Sequence, residues 1–261
     1  EPLLHPHILD IIEIASSQGR RTGLVTNAMC LDADLSRGLV ESGLQSITFS
    51  IDAPNQELAS RIRPGTDLDR VINNIREFVG ISNELRPISK AVFSAVSVDT
   101  VIYLKDLTEL ISGLGVNVLM LTDLNYEQNL KNTLFKNADE EIKRHITDGV
   151  RHAFQKKLPV LSVNGLEEFG LTDRYKDFLL FPPDRLCRRS SRHERCFSPW
   201  QTLPVDVGGN VTVCDCLPEE YIGNIFTDPF SEIWNGERMA GHRRKMLGDD
   251  PPAECLICTR F

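Results

Sequence analysis

Four cysteines constrain this chain more than any other feature. Cys196, Cys214, Cys255 and Cys258 lie at spacings that let four soft thiolates enclose one metal centre. The first pair reads Cys-x12-Gly-x4-Cys around Gly209, so a hairpin rather than a helix must bring its sulfurs together. The second pair is a tight Cys-x2-Cys, CLIC, whose sulfurs can meet on one local turn. Between the pairs run GNIFTDPFSEIWNG and a basic, helix-like ERMAGHRRKML. Thiolates select zinc or iron–sulfur clusters. Structural zinc usually draws two short Cys pairs, so a first pair 18 positions apart favours a four-iron cluster, with zinc as the alternative. Free cysteine is also a common buried residue, but four of them aligned with a Gly-Gly-Asn turn argue for ligation.

At 261 residues, with 41% hydrophobic and 25% charged side chains, the chain suits one large domain or a domain with a small appendage. The formal charge of −8 and pI near 5.3 give no general pull toward nucleic acid or anionic membrane. No apolar run is long enough for a membrane span, and no signal-peptide pattern opens the sequence. Seven cysteines, an odd number with metal-like spacing, fit a reducing cytoplasm better than a disulfide framework.

From the N-terminus to about residue 165, short β-branched runs alternate with amphipathic stretches, the pattern of βα units on a parallel sheet. Ile8, Ile11, Ile12 and Ala15 fall at helical spacing within 6–18, with Gly19 as a stop. Strand candidates follow at 22–28, 47–52, 89–98, 116–124 and 158–163, interleaved with helices near 34–42, 67–80, 101–113 and 138–157. Such a sheet can be open and doubly wound, or a full or partial barrel, and periodicity does not choose. In each of these, chemistry gathers at the C-terminal strand ends. Thr26 and Asn27, Ser50 to Asp52, Ser97, and Asp123 with Asn125 stand there, although turns and helix caps favour the same residue types.

Residues 170–195 differ in texture. Pro182-Pro183 break regular structure, and Arg185, Arg188, Arg189, Arg192, His193 and Arg195 form a basic run, solvated or suited to gripping a carboxylate or phosphate. Cys187 inside it reads as a bystander. The chain has no phosphate loop, no His-Glu-x2-His helix and no Gly-x-Ser-x-Gly elbow, so nothing proposes hydrolysis by a side-chain nucleophile.

EPLLHP at 1–6, TNA at 26–28, SID at 50–52 and the C-terminal cysteines together resemble the radical S-adenosylmethionine (SAM) superfamily with a SPASM or twitch auxiliary-cluster domain. EPLLHP resembles the tail of that superfamily's Gly-Gly-Glu-Pro motif, whose backbone holds the methionine end of SAM. Ser50 and Asp52 match its Ser-x-Asp strand end, and Arg63 in ASRIRPG resembles the arginine that often follows. CFSPW, GGNVTVC, IGNIF, EIWNG and CLIC resemble the auxiliary domain segment by segment. The resemblance implies a partial (β/α) barrel over 1–170, a linker over 171–195 and a cysteine-rich domain with a β-hairpin over 196–261. It makes Glu1, Pro2, Thr26, Asn27, Ser50, Asp52 and Arg63 the cofactor-binding set, and Cys196, Cys214, Cys255 and Cys258 the cluster ligands. It names no catalytic side chain.

Two departures shape what carries over. The family's Cys-x3-Cys-x2-Cys motif should precede the Gly-Gly-Glu-Pro strand, and the chain has no such triplet, which reads as an N-terminally incomplete sequence. The longer SPASM pattern has seven cysteines for two auxiliary clusters; four ligands here suit one 4Fe-4S cluster, with Cys216 outside the ligand set. The resemblance implies a second 4Fe-4S cluster in the intact protein, which reductively cleaves SAM so that a 5′-deoxyadenosyl radical abstracts a substrate hydrogen. The implied partners are a peptide, protein or small-molecule substrate and an electron donor such as flavodoxin or ferredoxin, with no nucleic acid and no membrane. The alternative is a non-catalytic iron–sulfur binding or electron-transfer protein, if Glu1 stands near the natural start.

Overall fold

The computed structural model describes residues 1–123, 134–135, 137–162, 179–180, 196, 198–214, 217, 220–248 and 251–256. The chain divides into two compact units, Glu1–Tyr126 with Asn132–Phe181, and Pro182–Phe261 with Glu127–Lys131. Among the described residues no helix is long and apolar enough to cross a membrane.

The first unit is built on a parallel sheet of β1 (Gly23–Thr26), β2 (Ser46–Ser50), β3 (Ser89–Val96), β4 (Val118–Asp123), β5 (Val160–Ser162) and β6 (Leu179–Leu180), hydrogen-bonded in sequence order. Its helices are α1 (Ile8–Ser17), α2 (Ala33–Glu41), α3 (Gln56–Ile62), α4 (Leu68–Leu85), α5 (Leu104–Ser112) and α6 (Glu140–Gln155). Asp32, Asn55, Asp67 and Asp139 cap α2, α3, α4 and α6 by accepting from first-turn backbone N–H groups. The strand order settles the architecture. Parallel crossovers are right-handed, so a sheet that never reverses its order carries its helices on one face, as a barrel does and a doubly wound sheet does not.

Burial follows from this. Ile47, Phe49, Val92, Leu119 and Leu121 turn toward the helices and are buried against Leu39, Ile75, Phe78, Ile111 and Ile146. Phe49 and Phe78 meet edge to face with centroids 5.8 Å apart. The alternate positions, Val25, Thr48, Ser50, Phe93, Ala95 and Met120, are exposed or half-buried on the opposite, barrel-interior face. This is the partial (β/α) barrel that the resemblance implies.

Three elements differ from the sequence expectations. α3 was not expected. α4 continues to Leu85 because Val79 and Ser82 still face the core. β6 adds a short sixth strand. Lys90 is buried near the N-terminal end of β3, where its ammonium donates to Ser82 Oγ and Asn83 Oδ1 and burial lowers its pKa; it lies at the end of the sheet remote from the C-terminal strand ends.

In the second unit β7 (Asn210–Thr212) pairs antiparallel with β8 (Tyr221–Asn224) and, on its other side, bridges Val205. The Val205–Val211 pairing is the hairpin expected between Cys196 and Cys214. Gly209 sits at its turn with φ +79°, and an added Cβ would collide with the Phe226 ring. Asp206 closes the turn by accepting from Gly208 N and from the backbone and side-chain nitrogens of Asn210, which hold its carboxyl below the usual range. Helices Phe230–Asn235 and Glu237–Leu247 follow, the second coinciding with the basic run.

Candidate functional site

The C-terminal ends of β1 and β2 carry the polar residues that the sequence singled out. After β1 the chain makes a tight turn through Asn27 and Ala28, and the Glu1 carboxylate clamps it. Glu1 Oε1 accepts from Thr26 Oγ1 at 2.8 Å and Leu3 N at 3.1 Å, and Oε2 accepts from Asn27 N at 2.8 Å. Thr26 Oγ1 in turn accepts from Ala28 N, and Asn27 Oδ1 from Met29 N. Pro2 opens the short 3-10 turn that sets Glu1 against the strand end.

Ala28 pays for this turn with φ +60° while fully buried. Asn74 Nδ2 on α4 donates to the Ala28 carbonyl at 2.7 Å, a contact no sequence pattern announced. Ala28→Val is expected to lower stability by about 3 kcal/mol, from a branched side chain forced into left-handed backbone and an overfilled core. Ala28→Gly should stay within about 1 kcal/mol of the parent, since strain relief and added chain entropy offset each other. Urea unfolding midpoints of the two variants check both values.

Past β2, Asp52 is nearly buried and saturated. Its Oδ2 accepts from Arg63 Nε and Nη2, each at 2.6 Å, and its Oδ1 accepts from Ala95 N at 2.8 Å. The carboxylate thereby satisfies a β3 donor where β2 turns away, and fixes a guanidinium whose side chain remains 42% exposed. Asn27, Ser50, Asp52 and Arg63 line one cleft, together with Ala59 and Val71. Glu1 and Thr26 brace its wall and do not line it. Ser97, also at a strand end, has ordinary turn chemistry: its N–H donates to Thr100 Oγ1 and its carbonyl accepts from Thr100 N. The side chain of Asp123, and Asn125, lie outside the described residues.

In the second unit Cys214 is nine-tenths buried in an apolar cluster with Val213, Leu217 and Met239, against which Cys255, Ile222 and Trp234 pack. Cys196 is half-buried, and its Sγ accepts from Ser198 N at 3.4 Å. Cys258, Cys187, Cys216 and the basic run at 185–195 lie outside the described residues. Among the described residues no three His, Cys, Asp or Glu side chains form a single-ion site. The donors present are thiols in apolar surroundings, a set that suits a soft iron–sulfur centre. Among the described residues Arg243 Nη2 is buried without a hydrogen-bond partner, while the Nε of the same guanidinium donates to the Pro199 carbonyl near Cys196. Nearby, burial pushes the His242 pKa down, and Glu220, 3.5 Å from Nδ1, opposes that shift only in part.

Comparison with known proteins gives a match at each end of the chain. Residues 1–83 match the model of the radical SAM superfamily, and residues 196–259 match SPASM, an iron–sulfur cluster-binding domain. The chain is similar to a probable GTP 3′,8-cyclase of Methanocaldococcus jannaschii, 29% identical over 170 residues, which are 64% of this chain and 55% of that protein. Its fold is similar to that of SuiB from Streptococcus suis, with a TM-score of 0.65 at 13% identity over 100% of this chain and 59% of SuiB. SuiB bound to precursor peptide SuiA gives a TM-score of 0.64 at 14% identity, covering 57% of that chain. The chain thus spans a little over half the length of these relatives. The two family models match in this order along the chain, and together they support a radical SAM protein with a SPASM iron–sulfur domain C-terminal to its sheet.

Proposed function

We propose that the whole protein is a radical SAM enzyme that modifies a peptide or protein side chain, with one auxiliary 4Fe-4S cluster held by Cys196, Cys214, Cys255 and Cys258. The observation that carries this reading is the cleft shared by Asn27, Ser50, Asp52 and Arg63 at the strand ends. There the Arg63 guanidinium, oriented by Asp52, would receive the SAM carboxylate. The Ser50 hydroxyl and Asn27 amide would hold its other polar groups, and the Glu1–Pro2 backbone its methionine end. SAM with a reduced four-iron cluster supplies hydrogen-atom abstraction after reductive cleavage of the sulfonium. The chain's own residues bind and orient: Glu1 and Thr26 keep the β1 turn closed, and Asp52 keeps Arg63 from swinging to solvent.

A peptide substrate is supported by the likeness to SuiB, a protein solved with a precursor peptide, and by the half-buried barrel-interior face. Four ligands favour the single-cluster, twitch-like arrangement, serving electron transfer or bracing of the fold. The electron would come from a reduced cytoplasmic carrier of the flavodoxin or ferredoxin kind.

The similarity to a probable GTP 3′,8-cyclase favours a second reading, a small-molecule substrate. Incubation with a side-chain-deuterated peptide encoded in a neighbouring reading frame separates the two. Deuterium appearing in 5′-deoxyadenosine supports the peptide reading; GTP consumed to a cyclised product, with the peptide unchanged, overturns it.

A further inference from the structure

Arg243 belongs to the buried face of the helix Glu237–Leu247, in helical register with the buried Met239, His242 and Met246. Its Nε donates to the Pro199 carbonyl at 3.0 Å and its Nη1 to the Trp234 carbonyl at 2.8 Å. The guanidinium lies over the Trp234 ring, with Cζ 4.4 Å from the centroid. Nη2 is buried and has no hydrogen-bond partner among the described residues. A charged donor held in that way is costly unless something accepts from it.

The geometry narrows what that acceptor is. Nη2 shares one edge of the planar guanidinium fork with Nε and the other with Nη1, so its N–H groups open on the side of Pro199, in the turn that begins at Cys196, and on the side of the Trp234 carbonyl. The Trp234 side chain packs against the apolar cluster that contains Cys214 and receives Cys255. This side chain therefore touches the Cys196 segment directly at Pro199 and reaches the apolar cluster of Cys214 and Cys255 through Trp234. No carboxylate is paired with it among the described residues.

We propose that Arg243 donates its remaining N–H groups to a thiolate or sulfide sulfur of the auxiliary cluster and thereby raises that cluster's reduction potential. The inference rests on the iron–sulfur reading of the C-terminal domain. A fixed positive charge and an N–H···S bond both favour the reduced cluster, which carries one more negative charge. In the couple the cluster gains a single electron. Arg243 stays protonated in both states, so no proton moves with it.

The test uses the anaerobically loaded whole protein. At a fixed dithionite poise, Arg243→Met should lower the ratio of reduced to oxidised auxiliary cluster about tenfold, equivalent to about 59 mV for a one-electron couple. Arg243→Lys, which keeps the charge without the fork, should lose less. Electron–nuclear double resonance on the reduced parent protein, grown with ¹⁵N-guanidino arginine, should show a weak ¹⁵N coupling to the auxiliary cluster, and this readout does not depend on a variant folding. An unchanged potential in a cluster-loaded Arg243→Met, or no ¹⁵N coupling in the parent, would assign Arg243 to bracing alone and overturn the proposal. A parent protein containing no acid-labile sulfide would instead overturn the iron–sulfur reading, and the proposal with it.

Discussion

Cys214→Ser is expected to strip the auxiliary cluster and unfold the C-terminal domain together. Among the described residues Cys214 is the most buried thiol of that domain, and the buried cluster around it comprises Val213, Leu217 and Met239. A core of that size does not hold a small domain folded without help. Where a metal centre organises such a domain, its binding free energy is part of the folding free energy, on the order of 10 kcal/mol in zinc-finger peptides. The variant should therefore lose most of its iron and sulfide and the visible absorption of the cluster, and its second unit should become protease-sensitive. Cys255→Ser and Cys258→Ser should behave alike. Cys216→Ser should leave iron content nearly unchanged, because Cys214 keeps the Gly-x4-Cys register with Gly209. If Cys216→Ser loses the cluster while Cys214→Ser keeps it, the ligand assignment is wrong.

Asp52→Ala should have the largest effect in the first unit. It leaves Ala95 N without its acceptor in a buried strand end and releases Arg63. The stranded N–H costs about 1–3 kcal/mol. The ion pair adds less than a fully buried one would, because the Arg63 side chain is 42% exposed and solvent screens it. A loss of about 2–4 kcal/mol is expected in chemical unfolding, with a fall of at least about tenfold in SAM affinity measured by equilibrium dialysis. Asp52→Asn keeps an acceptor for Ala95 N and should recover much of the stability but little of the affinity. Equal recovery of both would make Asp52 a strand-end cap with no part in orienting Arg63.

Much of the first unit was legible because β-branched strands and amphipathic helices leave different periodicities. The partial barrel was not decided by those periodicities, since doubly wound sheets and barrels share the same βα repeat; strand order is a tertiary fact. α3 escaped because seven residues between a strand end and a Pro-Gly turn read as loop, although Asn55 supplies its cap. The rim residues were legible by type, but the division of labour was not. Glu1 and Asp52 spend their carboxylates on backbone and side-chain donors, and this only appears once β1, β2 and β3 are side by side. Arg243 was not singled out within the basic, helix-like run ERMAGHRRKML, yet its spacing with Met239, His242 and Met246 places it on the buried face.

Reduction of the whole protein with SAM under anaerobic conditions tests the central claim most directly. With iron and sulfide loaded, dithionite or reduced flavodoxin should convert SAM to methionine and 5′-deoxyadenosine, and Asp52→Ala should slow that conversion at least about tenfold at subsaturating SAM. A fully loaded protein whose clusters are reduced, and which leaves SAM intact, would contradict the account and return the chain to the class of iron–sulfur binding or electron-transfer proteins.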